Sequence, residues 1–292
     1  MKLTVDRERA AQVVLRLQDA FTHREGLLEV LDDLVENQIP NGVEPLSRSH
    51  ALFLFYIVSN DHGVKSSSLY SRAKGLFQTR PELFEPTTIL AVFSGPDDPN
   101  LVESTGLALG TRYPKETAKS WYLNSLRLQE LFAGDPRNLF CSSNDASKLY
   151  REIAAFRGYG PKTGGMLLRA IVGLEFVRVV GLENVLIPVD IHDSRISFFT
   201  GIVHANSGEN DTESNYYSYV RDIQRVLLDA CNASGLSWID VDRALWLIGS
   251  RGCVKQQCLL CPLKNLCKVG QEVIKKKLTA STGQHMLFEI DH

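Results

Sequence analysis

No stretch of this chain approaches the roughly 20 consecutive apolar residues that cross a bilayer, so no membrane-spanning role is expected. A strong charge of one sign is also missing. The formal net charge is -2, which taken whole offers a nucleic acid no general attraction. Internal repeats and long low-complexity tracts are absent, which argues against solenoids and disordered arrays. No segment sustains the apolar–polar alternation of half-buried strands. The N-terminal MKLTVDRERAAQ is charged where a secretory signal would be apolar. An intracellular protein is therefore expected: in the cytoplasm or nucleoid of a prokaryote, or in the nucleus or an organelle of a eukaryote.

What is present suits an ordinary globular chain: 292 residues, 44% apolar and 23% charged, enough for one large domain or two modest ones. Apolar residues recur at three- and four-residue spacing near 6–22, 24–38, 47–60, 66–78, 98–110, 115–132 and 145–156, as in Val13, Val14, Leu17 and Phe21. An all-α fold is expected. Breaks fall at Pro40-Asn41-Gly42, in 95–100 and at Gly134-Asp135-Pro136. The polar stretch Asn206 to Ser214 reads as an exposed loop before a helix starting near Asn215.

Four cysteines crowd into the pattern Cys253-x4-Cys258-x2-Cys261-x5-Cys267. In a reducing compartment such clusters bind metal more often than they form disulfides. Four thiolates can hold zinc, but zinc modules commonly join two separated knuckles, and all ligands on one short loop favour an iron-sulfur cluster. Cys141 and Cys231 lack such neighbours and are expected to be small buried apolar residues. Charge is uneven along the chain: residues 1–50 hold six Lys/Arg against nine Asp/Glu, whereas residues 243–277 hold eight against Glu272 alone. The basic run Lys275, Lys276 and Lys277 suits either a solvated face or phosphate contact.

A second signal is Phe156-Arg157-Gly158-Tyr159-Gly160-Pro161-Lys162-Thr163. Here one helix ends, the chain turns through two glycines, and Pro161 opens the next helix. Such a turn can be only a tight connection, or its unpaired N–H groups can receive a phosphate. Lys162, in the first helical turn, faces the positive end of the helix dipole, which favours a neutral, nucleophilic amine. An exposed or phosphate-binding lysine is the plainer reading. Asp190, in Leu186-Ile187-Pro188-Val189-Asp190-Ile191-His192, suits the N-cap of the helix that follows, a role compatible with catalysis.

The order of hairpin, aspartate step and cysteine loop resembles the helix-hairpin-helix DNA glycosylases, in particular the endonuclease III branch. Upstream, residues 53–59 followed by Ser71-Arg72-Ala73-Lys74 look like that family's early barrel helices. Leu109-Gly110, before the helix carrying Lys119, looks like a later one, and Trp246-Leu247-Ile248-Gly249 looks like the approach to the cysteines. The resemblance covers about residues 45 to 268. It implies a two-lobed helical fold with DNA in the cleft: a barrel domain at 45–185, and a discontinuous domain of 1–44 and 186–292 with a [4Fe-4S] cluster on Cys253, Cys258, Cys261 and Cys267.

It also implies a base-excision glycosylase with abasic-site lyase activity, working as a monomer on double-stranded DNA that carries a damaged or mispaired base. Lys162 falls where bifunctional members carry their Schiff-base lysine, and Asp190 matches their catalytic aspartate. Gly158, Tyr159, Gly160, Thr163 and Lys255 fall on the DNA-contacting hairpin and loop, although Tyr159 also suits hairpin packing. Ser59-Asn60-Asp61-His62 lies where the family fills the gap left by a flipped base, and equally suits a polar helix end. His192 is expected to orient the backbone beside Asp190.

Three departures mark a divergent member. The first cysteine interval has four residues where the branch has six, the interval from Lys162 to Asp190 has about ten extra, and Gly164 replaces an alanine. Two other outcomes stay open: a monofunctional glycosylase in which Asp190 activates water, and a non-catalytic iron-sulfur DNA-binding protein.

Overall fold

The computed structural model describes residues 3–205, 216–276 and 279. Asn206 to Ser214 and Lys277 lie outside the described residues. In chain order the elements are β1 (Leu3–Val5), α1 (Arg7–Thr22), α2 (Arg48–Val58), α3 (Ser66–Thr79), α4 (Pro86–Val92), the single-turn α5 (Pro99–Leu101), α6 (Pro114–Phe132), α7 (Pro136–Phe140), α8 (Ala146–Ala154), α9 (Pro161–Gly173), α10 (Ile191–Thr200), β2 (Val203–Ala205), α11 (Tyr216–Ala233) and α12 (Trp238–Leu247). Residues 268–276 are also helical. No described helix is long and apolar enough to cross a membrane. The chain divides into two compact units, a continuous one of Asp32–Pro188 and a discontinuous one of Met1–Leu31 with Val189–His292. The segment 45–185 lies inside the continuous unit.

In the continuous unit, Ser47 starts α2 by accepting the His50 N–H at 3.2 Å. Every α2 residue from His50 to Val58 is buried, as an all-round apolar helix requires. Tyr56 stacks on Trp121 of α6 with centroids 4.5 Å apart. The Tyr56 hydroxyl pairs with Ser125 at 2.6 Å, and the Trp121 indole N–H donates to the Leu83 carbonyl at 2.7 Å. Both polar handles are thus satisfied, and truncating Trp121 to alanine would cost roughly 3–5 kcal/mol. The second central helix is α9, buried from Thr163 to Ile171. Gly165 lets it close on Pro188, whose Cβ lies 2.9 Å from where a side-chain carbon would sit. Arg169 forks onto Glu36 at 3.1 and 3.2 Å, and both side chains are buried.

In the discontinuous unit, α1 buries Ala10, Val13, Val14, Leu17, Ala20 and Phe21 against α11 and α12. Three- and four-residue spacing predicts that stripe. A small antiparallel pair departs from the all-α expectation: β1 and β2 align Leu3 with Ala205, Thr4 with His204 and Val5 with Val203. At three residues a side, each strand is too short to show alternation in sequence.

The stretch 24–38, expected to be one helix, forms two short 3-10 turns instead, Gly26–Leu28 and Val35–Asn37. Arg24 and Gly26 hold φ of 54° and 52°, which no helix propagates. Gly26 also closes on the Leu260 carbonyl oxygen, which would lie 2.2 Å from a side-chain carbon there.

Candidate functional site

The expected hairpin forms between α8 and α9. Gly158 turns the chain at φ +85°, and Asn124 of α6 holds the approach by exchanging two 2.8 Å hydrogen bonds with the Arg157 backbone. The Gly160 N–H donates to Thr163 Oγ1 at 2.9 Å, and the Thr163 hydroxyl donates to the Gly158 carbonyl at 2.8 Å. Thr163 therefore clasps the turn from a buried position. Tyr159 is likewise buried, and its hydroxyl donates to the Phe55 carbonyl. Of the two sequence readings of Tyr159, its side chain takes the packing one. Gly160 faces open space, and an added side-chain carbon would meet nothing within 4 Å.

A hollow of about 380 Å³ opens on this turn, lined by His62 and the run from Gly158 to Thr163. Lys162 lies on its wall with 28% of its side chain exposed. Its Nζ donates to the Asp61 carbonyl at 3.0 Å and stands 3.9 Å from Asp61 Oδ1. That carboxylate is buried and accepts the Ser66 hydroxyl at 2.8 Å. His62 is exposed at the rim. Packed protein atoms, then the Lys162 charge, hold its pKa below the ordinary histidine value against the pull of Asp61 and the Ser59 carbonyl. The pairing of Lys162 with Asp61 spans 101 positions, and no local pattern signals it.

Asp190 belongs to the discontinuous unit and is the N-cap of α10. Its Oδ1 accepts the N–H groups of His192 at 2.6 Å and Asp193 at 3.3 Å, and its own N–H donates to Asp193 Oδ2 at 2.7 Å. His192 packs where Gly249 leaves room, its Cβ 2.5 Å from a side-chain carbon placed there. Asp193 is buried. Desolvation, then the charges of Asp190 and Asp242, push its carboxyl well above the usual range. The sequence reading missed Asp193; its only local sign is an acidic residue three places after a cap.

In the same unit a wide π-helical turn, Ile248–Cys253, continues α12 into the cysteine loop. Cys253, Cys258, Cys261 and Cys267 line one hollow of about 220 Å³ together with Arg195 and Phe199. Burial pushes the Cys253 thiol up to about 11 and Cys261 to about 12, and raises Cys267. Metal binding opposes that trend by stabilising thiolates. The Gly270 N–H donates to Cys267 Sγ at 3.2 Å, a contact that also favours thiolate.

These donors fit a sulfur-ligated centre. Among the described residues, the group of His, Cys, Asp or Glu ligand atoms drawn within 4.8 Å of one another is Asp19, His23 and Glu25, a set that includes none of these sulfurs. Lys255 is exposed on the four-residue segment between the first two cysteines. Cys231 is buried as expected, but Cys141 is exposed with its sulfur 3.5 Å from the Phe176 carbonyl, because the short α7 ends there. Neither a comparison with protein-family models nor one with curated protein sequences finds a match to this chain.

Proposed function

We propose that this protein is a base-excision DNA glycosylase with abasic-site lyase activity. The observation that carries the reading is the hairpin hollow: a half-buried primary amine, Lys162, beside a turn whose Gly160 leaves room for a phosphodiester backbone. The first-turn N–H groups of α9 suit a phosphate, and contacts of that kind position DNA without reading its sequence.

The target nucleotide would leave the stack, since its glycosidic bond is out of reach inside the duplex. Asp190, with one oxygen engaged at the cap, stabilises positive charge developing on the sugar through the other. Lys162, once neutral, attacks C1′ as the base departs. The resulting imine permits β-elimination of the 3′ phosphate. Cys253, Cys258, Cys261 and Cys267 would hold a [4Fe-4S] cluster. When bound, it supplies the positive charge that keeps four thiolates together and orders the loop presenting Lys255.

One contact favours a second reading. Because Lys162 Nζ already donates to Asp61, the amine suits a standing ammonium, with Asp190 activating water in a monofunctional glycosylase. Borohydride trapping on duplexes carrying a panel of lesions separates the two. A covalent adduct that disappears in Lys162→Ala is expected. Free base released with no adduct on any lesion would leave the monofunctional reading in place. Neither adduct nor released base would sink excision altogether.

A further inference from the structure

The rim of the hairpin hollow holds a titratable group to which the chemistry above gives no task. His62 follows α2 at the end of the run Ser59-Asn60-Asp61-His62 and lines the same hollow as Lys162. We infer that His62 is the base of the elimination step: its unprotonated ring nitrogen removes the C2′ proton of the sugar held on Lys162. This rests on the lyase reading of that hollow.

Elimination needs a proton acceptor close to the amine, because the imine carbon C1′ and the acidified C2′ lie one and two bonds from Lys162 Nζ. Lys162 and His62 answer that need from opposite ends of the hollow's sequence, one on the first turn of α9 and one on the α2 exit. The Ser59 carbonyl faces the imidazole and favours an N–H on the nitrogen nearest it, leaving the other nitrogen with its lone pair. The same carbonyl lies against Gly158, so hairpin and histidine share one backbone support. Around His62 the charged groups are Lys162 and Asp61, with Arg112 packed over the neighbouring Gly63. Desolvation, then Lys162, outweigh Asp61 and hold the ring below its ordinary pKa, the direction a base needs.

The step balances without a further reagent. The neutral Lys162 amine and the C1′ aldehyde condense with uptake of one proton from solvent, giving a protonated imine and releasing water. His62 takes the C2′ proton, the freed pair forms the C1′–C2′ enamine, and the enamine then expels the 3′ phosphate with the C3′–O pair. Water hydrolyses the conjugated imine to free Lys162, and the imidazolium returns its proton to solvent.

The experiment uses the full protein on duplexes carrying a preformed abasic site, with strand cleavage and borohydride trapping read in parallel. In His62→Gln, strand cleavage is expected to fall roughly a hundredfold relative to trapped adduct. The wild-type cleavage rate should drop on acidification as His62 takes a proton, a limb that His62→Gln lacks. Added imidazole should restore cleavage to His62→Ala, a readout that structural damage would not give, and thermal unfolding checks the fold of each variant. Wild-type trapping together with an unchanged cleavage rate and pH profile in His62→Gln overturns the inference alone. A wild-type protein that traps no substrate overturns the lyase reading and this base with it.

Discussion

A side-chain carbon on Gly158 would lie 2.6 Å from the Ser59 carbonyl oxygen, and Gly158 holds φ +85°, while Gly160 two residues later has open space and an ordinary φ of -92°. Two glycines of one motif are therefore glycine for different reasons. Gly158→Ala carries left-handed strain of about 1–2 kcal/mol plus a backbone clash and should lower the thermal midpoint. Gly160→Ala loses only helix-start preference, about 1 kcal/mol, but sets a methyl group where the DNA backbone is proposed to pass. Unfolding scans paired with anisotropy on an abasic-analogue duplex check this. Equal loss of stability with equal DNA affinity would refute the division of roles.

Asp190 offers a second separation. Asparagine caps a helix about as well as aspartate but cannot stabilise a developing cation by charge. Asp190→Asn should keep the midpoint near wild type while base release falls at least a hundredfold, roughly the loss seen when a preorganised electrostatic group is removed. Asp190→Ala should lose excision and a further ~1 kcal/mol of stability with the cap. Retained excision in the asparagine variant would reduce Asp190 to a cap.

These contrasts also mark where sequence reading stops. The helical elements are legible because burial repeats at local spacing, as along α1, and the hairpin is legible because Gly158, Gly160 and Pro161 are local backbone instructions. The Asp190 cap is local too. The supports of those residues are not local: Asp61 reaches Lys162, Ser59 backs Gly158, and the Leu260 carbonyl meets Gly26 in the stretch that periodicity assigns to a single helix. Thr163 and Tyr159 carry polar groups that suit DNA contact on paper. Their partners, the Gly158 and Phe55 carbonyls, turn them inward.

The cysteine loop predicts a metal outcome. Protein purified without oxygen should carry iron and brown absorbance, and Cys261→Ser should lower iron content and destabilise the protein, since bound metal adds its binding free energy to folding. Chelation of iron should lower the thermal midpoint. Stoichiometric zinc with no iron would reverse the assignment of the site.

Stability should fall in mild acid through His50. Burial holds this imidazole at about 4 against an ordinary 6.5, so between those values the unfolded chain takes up a proton that the folded chain refuses. The contribution is complete above pH 6.5, is lost progressively as pH falls, and is gone below about 4, an order-of-magnitude total of about 3 kcal/mol. Urea titrations of wild type and His50→Gln across that window should converge as pH falls. Parallel curves would remove His50 from the account.

The buried fork of Arg169 onto Glu36 sits two helical turns beyond Lys162, about 10 Å along α9. Removing either partner strands a charge at a cost of roughly 3–5 kcal/mol, so the pair ties that helix to the Val35–Asn37 turn within its unit. Under the proposed function the amine is then a fixed stop, and the travelling body is the nucleotide. Turnover should accordingly track the mechanical compliance of the duplex: weakly stacked or mispaired sites reach the stop readily, and well-stacked ones seldom arrive.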